Sequence, residues 1–151
     1  MGPNGKRDIP IEEFFVGPGK TVLEPDEVVI SFTLPAQGDR CAASYYKHAI
    51  RGDTDISIVG VGVRIGLAAD GTVTKARVAL GAVAPTPIRV HAVEDMLVGK
   101  KLTEDVIEQA ARLAESSIHP ISDQRATAEY RKEMVYVAMK HMIQETVSKI
   151  G

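Results

Sequence analysis

Hydrophobic and polar positions alternate along several stretches of this chain. Val28, Ile30, Phe32 and Leu34 fall on one side of an extended segment and Val29, Ser31 and Thr33 on the other. This period of two predicts a strand, which Pro35 ends by removing a ladder donor. A second strand is predicted over Ala42 to His48. The third runs from about Ile56 to Leu67, where Val61, Val63, Ile65 and Leu67 alternate with Gly60, Gly62, Arg64 and Gly66. A strand face made of glycines lets something pack very close to the backbone. Ala69-Asp70-Gly71-Thr72 reads as a hairpin turn, because Asp-Gly supplies the positive φ angles that match strand twist. The fourth strand, Val73 to Ala82, then returns antiparallel to the third.

From Pro87 onward the period changes to about 3.6. Ile88 to Val98 reads as a helix stopped by Gly99. A second helix begins at Thr103, a suitable N-cap followed by Glu104 and Asp105, and fades near Ser117. A third starts near Thr127 and carries Tyr130, Met134, Val137, Ala138 and Met142 on a common stripe. Upstream of the sheet, Ile9 to Phe15 reads as the first ordered piece, followed by a turn at Gly17-Pro18-Gly19. Residues 1–8 are polar and read as a lead-in or a severed interdomain linker, with 9–151 as a single domain. Strands followed by helices imply an α+β fold: an antiparallel sheet of three to four strands, then three helices packed on one face.

Composition narrows the function classes. The 151 residues carry 18 Lys and Arg against 20 Asp and Glu, a formal charge of -2. With the basic residues scattered among acids, the chain has no electrostatic footprint for nucleic acid. The most apolar stretch, Ile56 to Ala69, is interrupted by Arg64 and falls short of the roughly 20 residues a membrane-crossing helix needs. The N-terminal residues have no apolar core, so no signal peptide is expected. One cysteine, Cys41, makes neither an intrachain disulfide nor a thiolate cluster, so the expected compartment is reducing and cytoplasmic.

Most motif-like strings dissolve on inspection. Gly17-Pro18-Gly19-Lys20-Thr21 has Phe14 where a phosphate loop needs its first glycine, and it precedes a strand where that loop needs a helix. The glycines between Gly60 and Gly66 have the wrong spacing for a dinucleotide fingerprint and lie inside a strand. His48, His91, His119 and His141 are widely separated and form no metal-ligand pattern, and no serine has a nucleophile-elbow context. Asp53 and Asp55 beside Arg51 read as a solvated turn. Asp123, Arg125, Glu129 and Arg131 open the last helix, where capping and surface ion pairs compete with a contact for another domain. Ser44-Tyr45-Tyr46-Lys47 stands out, because a lysine beside aromatics on a strand can present a fixed cation to an anionic or electron-rich ligand.

Four segments in order, FFVGPGKTVLEPDEVVISFTLP, SYYKHAIRGDTDISIVGVGV, DGTVTKARVALGAVAPTPIR and ISDQRATAEYRKEM, span roughly Ile9 to Thr146. Together they resemble the C-terminal domain of the FAD-binding medium subunit of molybdenum hydroxylases, the group of carbon monoxide dehydrogenase and xanthine dehydrogenase. The resemblance implies an α+β sandwich with an antiparallel sheet and three helices. It also implies a place in an electron relay, in which a molybdopterin subunit oxidises substrate, an iron-sulfur subunit passes electrons on, and FAD delivers them to an acceptor. By resemblance, Lys47 is a FAD-contacting lysine, Val29 a hydrophobic flavin contact, and Tyr46, or else its neighbour Tyr45, a flanking aromatic. The family's glycine-rich FAD loops have no counterpart here. The expectation is therefore weak or absent FAD binding by this chain alone, no independent enzyme activity, and partners comprising a FAD-binding domain and the iron-sulfur and molybdopterin subunits. The competing reading is a free-standing α+β interaction module that forms a homodimer and has no flavin role.

Overall fold

A computed structural model describes residues 1–51 and 54–150. The chain forms two compact units, Met1–Ala36 and Gln37–Gly151, each described by itself.

The first unit contains a single helical turn, α1 (Ile11–Phe14), and a small hairpin of β1 (Phe15–Gly17) and β2 (Lys20–Thr21). The Gly17-Pro18-Gly19 turn thus falls at the tip of a hairpin. Arg7 clamps this unit, donating from Nε and Nη2 to the Glu27 carboxylate and from Nη2 to the Val22 carbonyl. None of its residues is buried. The predicted strand Val28 to Leu34 does not form. Val28 exchanges hydrogen bonds with Met1, but no ladder continues beyond it, and Phe32 and Leu34 are 76% and 89% exposed. A period of two supplies a strand's side-chain pattern, while its stability requires a neighbouring strand, and within this unit the segment has none.

In the second unit β3 (Cys41–His48), β4 (Val59–Leu67), β5 (Val73–Gly81) and β6 (Ile88–Arg89) form an antiparallel sheet in that order. Lys47 pairs with Gly60, Tyr45 with Gly62, and Arg64 with Arg77. The tight connection after β4 is closed by Asp70, whose carboxylate accepts from the backbone and hydroxyl of Thr72, while Gly71 takes the left-handed conformation at φ 84°. The fourth strand of the sheet is therefore Ile88–Arg89, a segment the 3.6 period assigned to a helix. It pairs with Ala79 and Leu80 and leaves only His91–Leu97 as helix α2.

Helix α3 (Glu104–Ser116) starts at Thr103, whose hydroxyl accepts from the Val106 amide, and α4 (Ala128–Ser148) starts at Thr127, which caps Tyr130 in the same way. Helix α2 packs on β5, α4 on β3 and β4, and α3 on α4 and α2. The core lies between sheet and helices, with Val61, Ile65, Val78, Leu80, Leu97, Met139 and Ile143 essentially inaccessible. The buried stripe of α4 is Arg131, Val135, Ala138, Met139, Met142, Ile143 and Thr146. It shares Ala138 and Met142 with the predicted stripe but is rotated, leaving Tyr130 44% exposed. Arg131 turns inward because acceptors await it there. The α+β class, with an antiparallel sheet covered by helices on one face, holds.

Candidate functional site

Strand β3 sorts its residues by parity. Ala42 and Ser44 are buried and Tyr46 is half-buried against the core, whereas Ala43, Tyr45 and Lys47 project from the opposite, uncovered face. Two adjacent tyrosines thereby receive different environments. The Tyr46 hydroxyl lies 3.1 Å from His48 Nδ1, and His48 Nε2 lies 3.1 Å from the Tyr130 hydroxyl. Tyr45 is 68% exposed and lies across the glycines of β4. A Cβ placed on Gly60 would stand 2.7 Å from the Tyr45 hydroxyl oxygen, and one on Gly62 would meet the ring at 3.6 Å. Tyr45 is the group that exploits the glycine face read from the sequence. Gly81, opposite Gly60 on β5, has open space above it.

Lys47 is exposed on this same face, and its ammonium donates to the Asp55 carbonyl. The Asp55 carboxylate in turn accepts from the Arg51 and Ile56 amides. Those amides hold its carboxyl below the usual range, the Arg51 amide foremost. The lysine is thus tethered through a backbone carbonyl, which orients its charge without neutralising it. Asp53 lies outside the described residues.

Further along the sheet the same face becomes strongly cationic. The cross-strand pair Arg64 and Arg77 shares it with Lys75, opposite Gly66, and with Arg89, opposite Ala79. Directly opposed like charges destabilise a sheet. Arg64 Nε is buried with no hydrogen-bond partner. Arg77 and Arg89 both approach Glu94, whose buried carboxylate also accepts from the Val78 amide at 2.9 Å. Burial, the largest influence, pushes the Glu94 carboxyl up, but Arg89, the Val78 amide and Arg77 together hold it below the usual range. Glu94 ties α2 to the edge of the sheet.

Within the charged group at the start of α4, where Asp123 pairs with Arg125 and Glu129 is exposed, Arg131 is not a surface residue. Arg131 is 4% exposed, and its Nη1 donates to the Ile58 carbonyl at 2.6 Å and to the Ala82 carbonyl at 3.0 Å. Its Nη2 donates to Asp123 Oδ1 at 2.9 Å. The Arg125 amide above all, with the Ala126 amide and Arg131, holds the Asp123 carboxyl at about 2. These contacts fasten the segment before α4 to the sheet, which removes Arg131 as a docking residue.

Of the three predicted site residues, Lys47 occupies the open face, Tyr46 points to the core side, and Val29 belongs to the first unit, where it is 44% exposed. Of the two tyrosines, Tyr45 is the one that shares the open face with Lys47. Parity along β3 held the signal, since Lys47 and Tyr45 are two apart. A flat phenol, an oriented ammonium and a floor of small residues suit a planar ring that gains negative charge, as a flavin does on reduction. Among the described residues no group of His, Cys, Asp or Glu is placed to hold a metal ion, and no helix is long and apolar enough to cross a membrane.

Comparison with known proteins bears on this arrangement. The model of the CO dehydrogenase flavoprotein C-terminal domain matches residues 44–146. The chain is 33% identical to the xanthine dehydrogenase FAD-binding subunit of Escherichia coli O157:H7 over 150 residues, covering 99% of this chain and 51% of that protein. It is 32% identical over 142 residues to the carbon monoxide dehydrogenase medium chain of Hydrogenophaga pseudoflava, covering 94% and 49%. The solved carbon monoxide dehydrogenase of H. pseudoflava lacking the Mo-pyranopterin moiety superposes with a TM-score of 0.92 at 33% identity, over 99% of this chain and 52% of that one. The chain thus spans about half the length of each of these relatives.

Proposed function

Since this chain belongs to the CO dehydrogenase flavoprotein C-terminal domain family, we propose that it flanks the flavin of a molybdenum hydroxylase and helps to hold that assembly together. The observation that carries the proposal is the pairing of Tyr45 and Lys47 on one uncovered sheet face beside Gly60, Gly62 and Gly81. The Tyr45 ring presents a flat wall, and the Lys47 ammonium places a fixed positive charge beside it. Together they would favour electron density on a neighbouring ring and exclude water from one side of it. FAD, when bound, supplies the electron relay from iron-sulfur clusters to an acceptor. Hydroxylation would belong to the molybdopterin subunit.

The first unit supports the same reading. Its exposed Val28, Ile30, Phe32 and Leu34 have a strand's alternation but neither a core nor a ladder. Such a segment, which includes Val29, suits pairing with a FAD-binding domain. The chain alone is then a poor flavin binder and not an enzyme, working within a cytoplasmic complex.

Titration of FAD against the 151-residue chain, followed by absorbance, tests the shared-site part of this reading. The expected result is weak or undetectable binding, and a submicromolar dissociation constant would sink it. In a longer protein that carries the FAD-binding domain, Lys47→Met and Tyr45→Ala are each expected to weaken FAD by about tenfold. The Tyr46→Phe variant is expected to leave affinity unchanged.

A further inference from the structure

We propose that the cationic end of the open sheet face, centred on Arg64 and Arg77 with Lys75 beside them, docks a carboxylate-bearing surface of a partner polypeptide. The inference rests on this charge arrangement and does not depend on the flavin reading. Cys41, Ala43, Tyr45 and Lys47 of β3, Gly60, Gly62, Arg64 and Gly66 of β4, and Lys75, Arg77, Ala79 and Gly81 of β5 share the face by register. No acidic residue stands among them.

Three observations converge on a missing anion. Arg64 and Arg77 oppose each other directly across the ladder, an arrangement that destabilises a sheet unless something neutralises it. Arg64 has a buried Nε without a hydrogen-bond partner among the described residues. Glu94, the acid beside this region, is already shared by Arg77, Arg89, His91 and the Val78 amide.

The shape of the face selects the kind of anion. Small ligands are held in concavities. Here Gly62, Ala79 and Ala43 flank the arginines with little or no side chain, so no wall encloses a free ion. A flat, small-residue floor carrying exposed tyrosine and arginine has the composition of a protein interface centre. Arg64 lies four residues along β4 from Gly60, the partner of Lys47. At a strand's rise this places the docked surface about 13 Å from the Lys47 end.

The test uses the 151-residue chain and a fluorescent oligoglutamate peptide, with binding read by anisotropy at low and physiological salt. The expected result is binding that weakens with salt and falls by about tenfold or more in Arg64→Gln/Arg77→Gln. The charge-matched Lys6→Gln/Lys132→Gln control should bind like the parent. Because Arg77 also donates to the Ala76 carbonyl, a second variant, Arg64→Gln/Lys75→Gln, leaves that contact intact and is expected to lose affinity in the same direction. Amide shifts on peptide addition should map to residues 43, 64 and 77. Absence of binding, equal weakening in the control, or displacement of the peptide by equimolar inorganic phosphate would each overturn the proposal, the last by assigning the patch to a small anion. All variants keep Tyr45 and Lys47, so the outcome is separable from the flavin titration.

Discussion

Tyr45 rests on Gly60 so closely that even a methyl group on the glycine would come within 2.7 Å of the phenol oxygen. The contact crosses from β3 to β4 on the uncovered face, and it fixes where the exposed ring lies. Substituting Gly60 by Ala should therefore move the ring and leave the fold intact, because the obstructed atom is the free end of a side chain. The expected thermal midpoint change is small, corresponding to less than about 1 kcal/mol. Tyr45 ring proton shifts should change substantially, and in a flavin-loaded parent protein the flavin absorption bands should shift with them. A Tyr45 spectrum identical to the parent's would show that the glycine does not set the ring position.

Arg131 offers a contrast, since its charge is spent entirely inside the molecule. Arg131→Ala would leave the Ile58 and Ala82 carbonyls and Asp123 without their donor. Ala82 already sits in the left-handed region at φ 62°, a conformation uncommon for a residue with a side chain. The expected loss is about 3 kcal/mol in urea unfolding. A loss below about 1 kcal/mol would mean that water replaces these bonds at little cost.

The same latch predicts an acid-sensitive limb in stability. An Asp carboxyl in the unfolded chain titrates at about 3.9, and Asp123 in the folded chain at about 2. A depressed folded value means that the contribution is fully present above about pH 4 and is lost as the pH falls toward 2. Asp123→Asn should flatten stability across that window while lowering it at neutral pH. Unfolding midpoints measured between pH 5 and pH 2, values chosen to bracket the titration, would reveal an unchanged slope if the latch contributes nothing.

Glu94 is the buried acid on which two arginines and a backbone amide converge. Glu94→Ala removes the carboxylate that Arg89 and the Val78 amide share in a largely buried place, a change expected to cost about 3–5 kcal/mol. Loss should appear first as weakened amide protection in α2 and β6, because Glu94 joins those elements to β5. Equal exchange rates across the parent and the variant would contradict this.

Periodicity and local chemistry alone located most elements of the second unit. Val73 to Gly81 alternates because one face meets the core, and Asp70-Gly71 closes its hairpin through contacts only two or three residues apart. Thr103 and Thr127 mark their helices because an N-cap needs only the next few amides. The choice of Lys47 as a candidate was likewise legible, in a string of four residues strengthened by a family resemblance.

What the chain could not declare locally was decided by partners distant in sequence. Val28 to Leu34 has the alternation of a strand but no neighbour to pair with inside its unit, whereas Ile88–Arg89, too short to signal anything, becomes one by lying beside Ala79 and Leu80. Tyr45 and Tyr46 are chemically identical, and only the choice of which β3 face the helices cover sends one outward and the other toward His48. Arg131 reads as a surface charge until Ile58 and Ala82, 73 and 49 residues away, supply the carbonyls that draw it inside. Side-chain type and spacing set each residue's options, and the desolvation and pairing available only in the assembled fold selected among them.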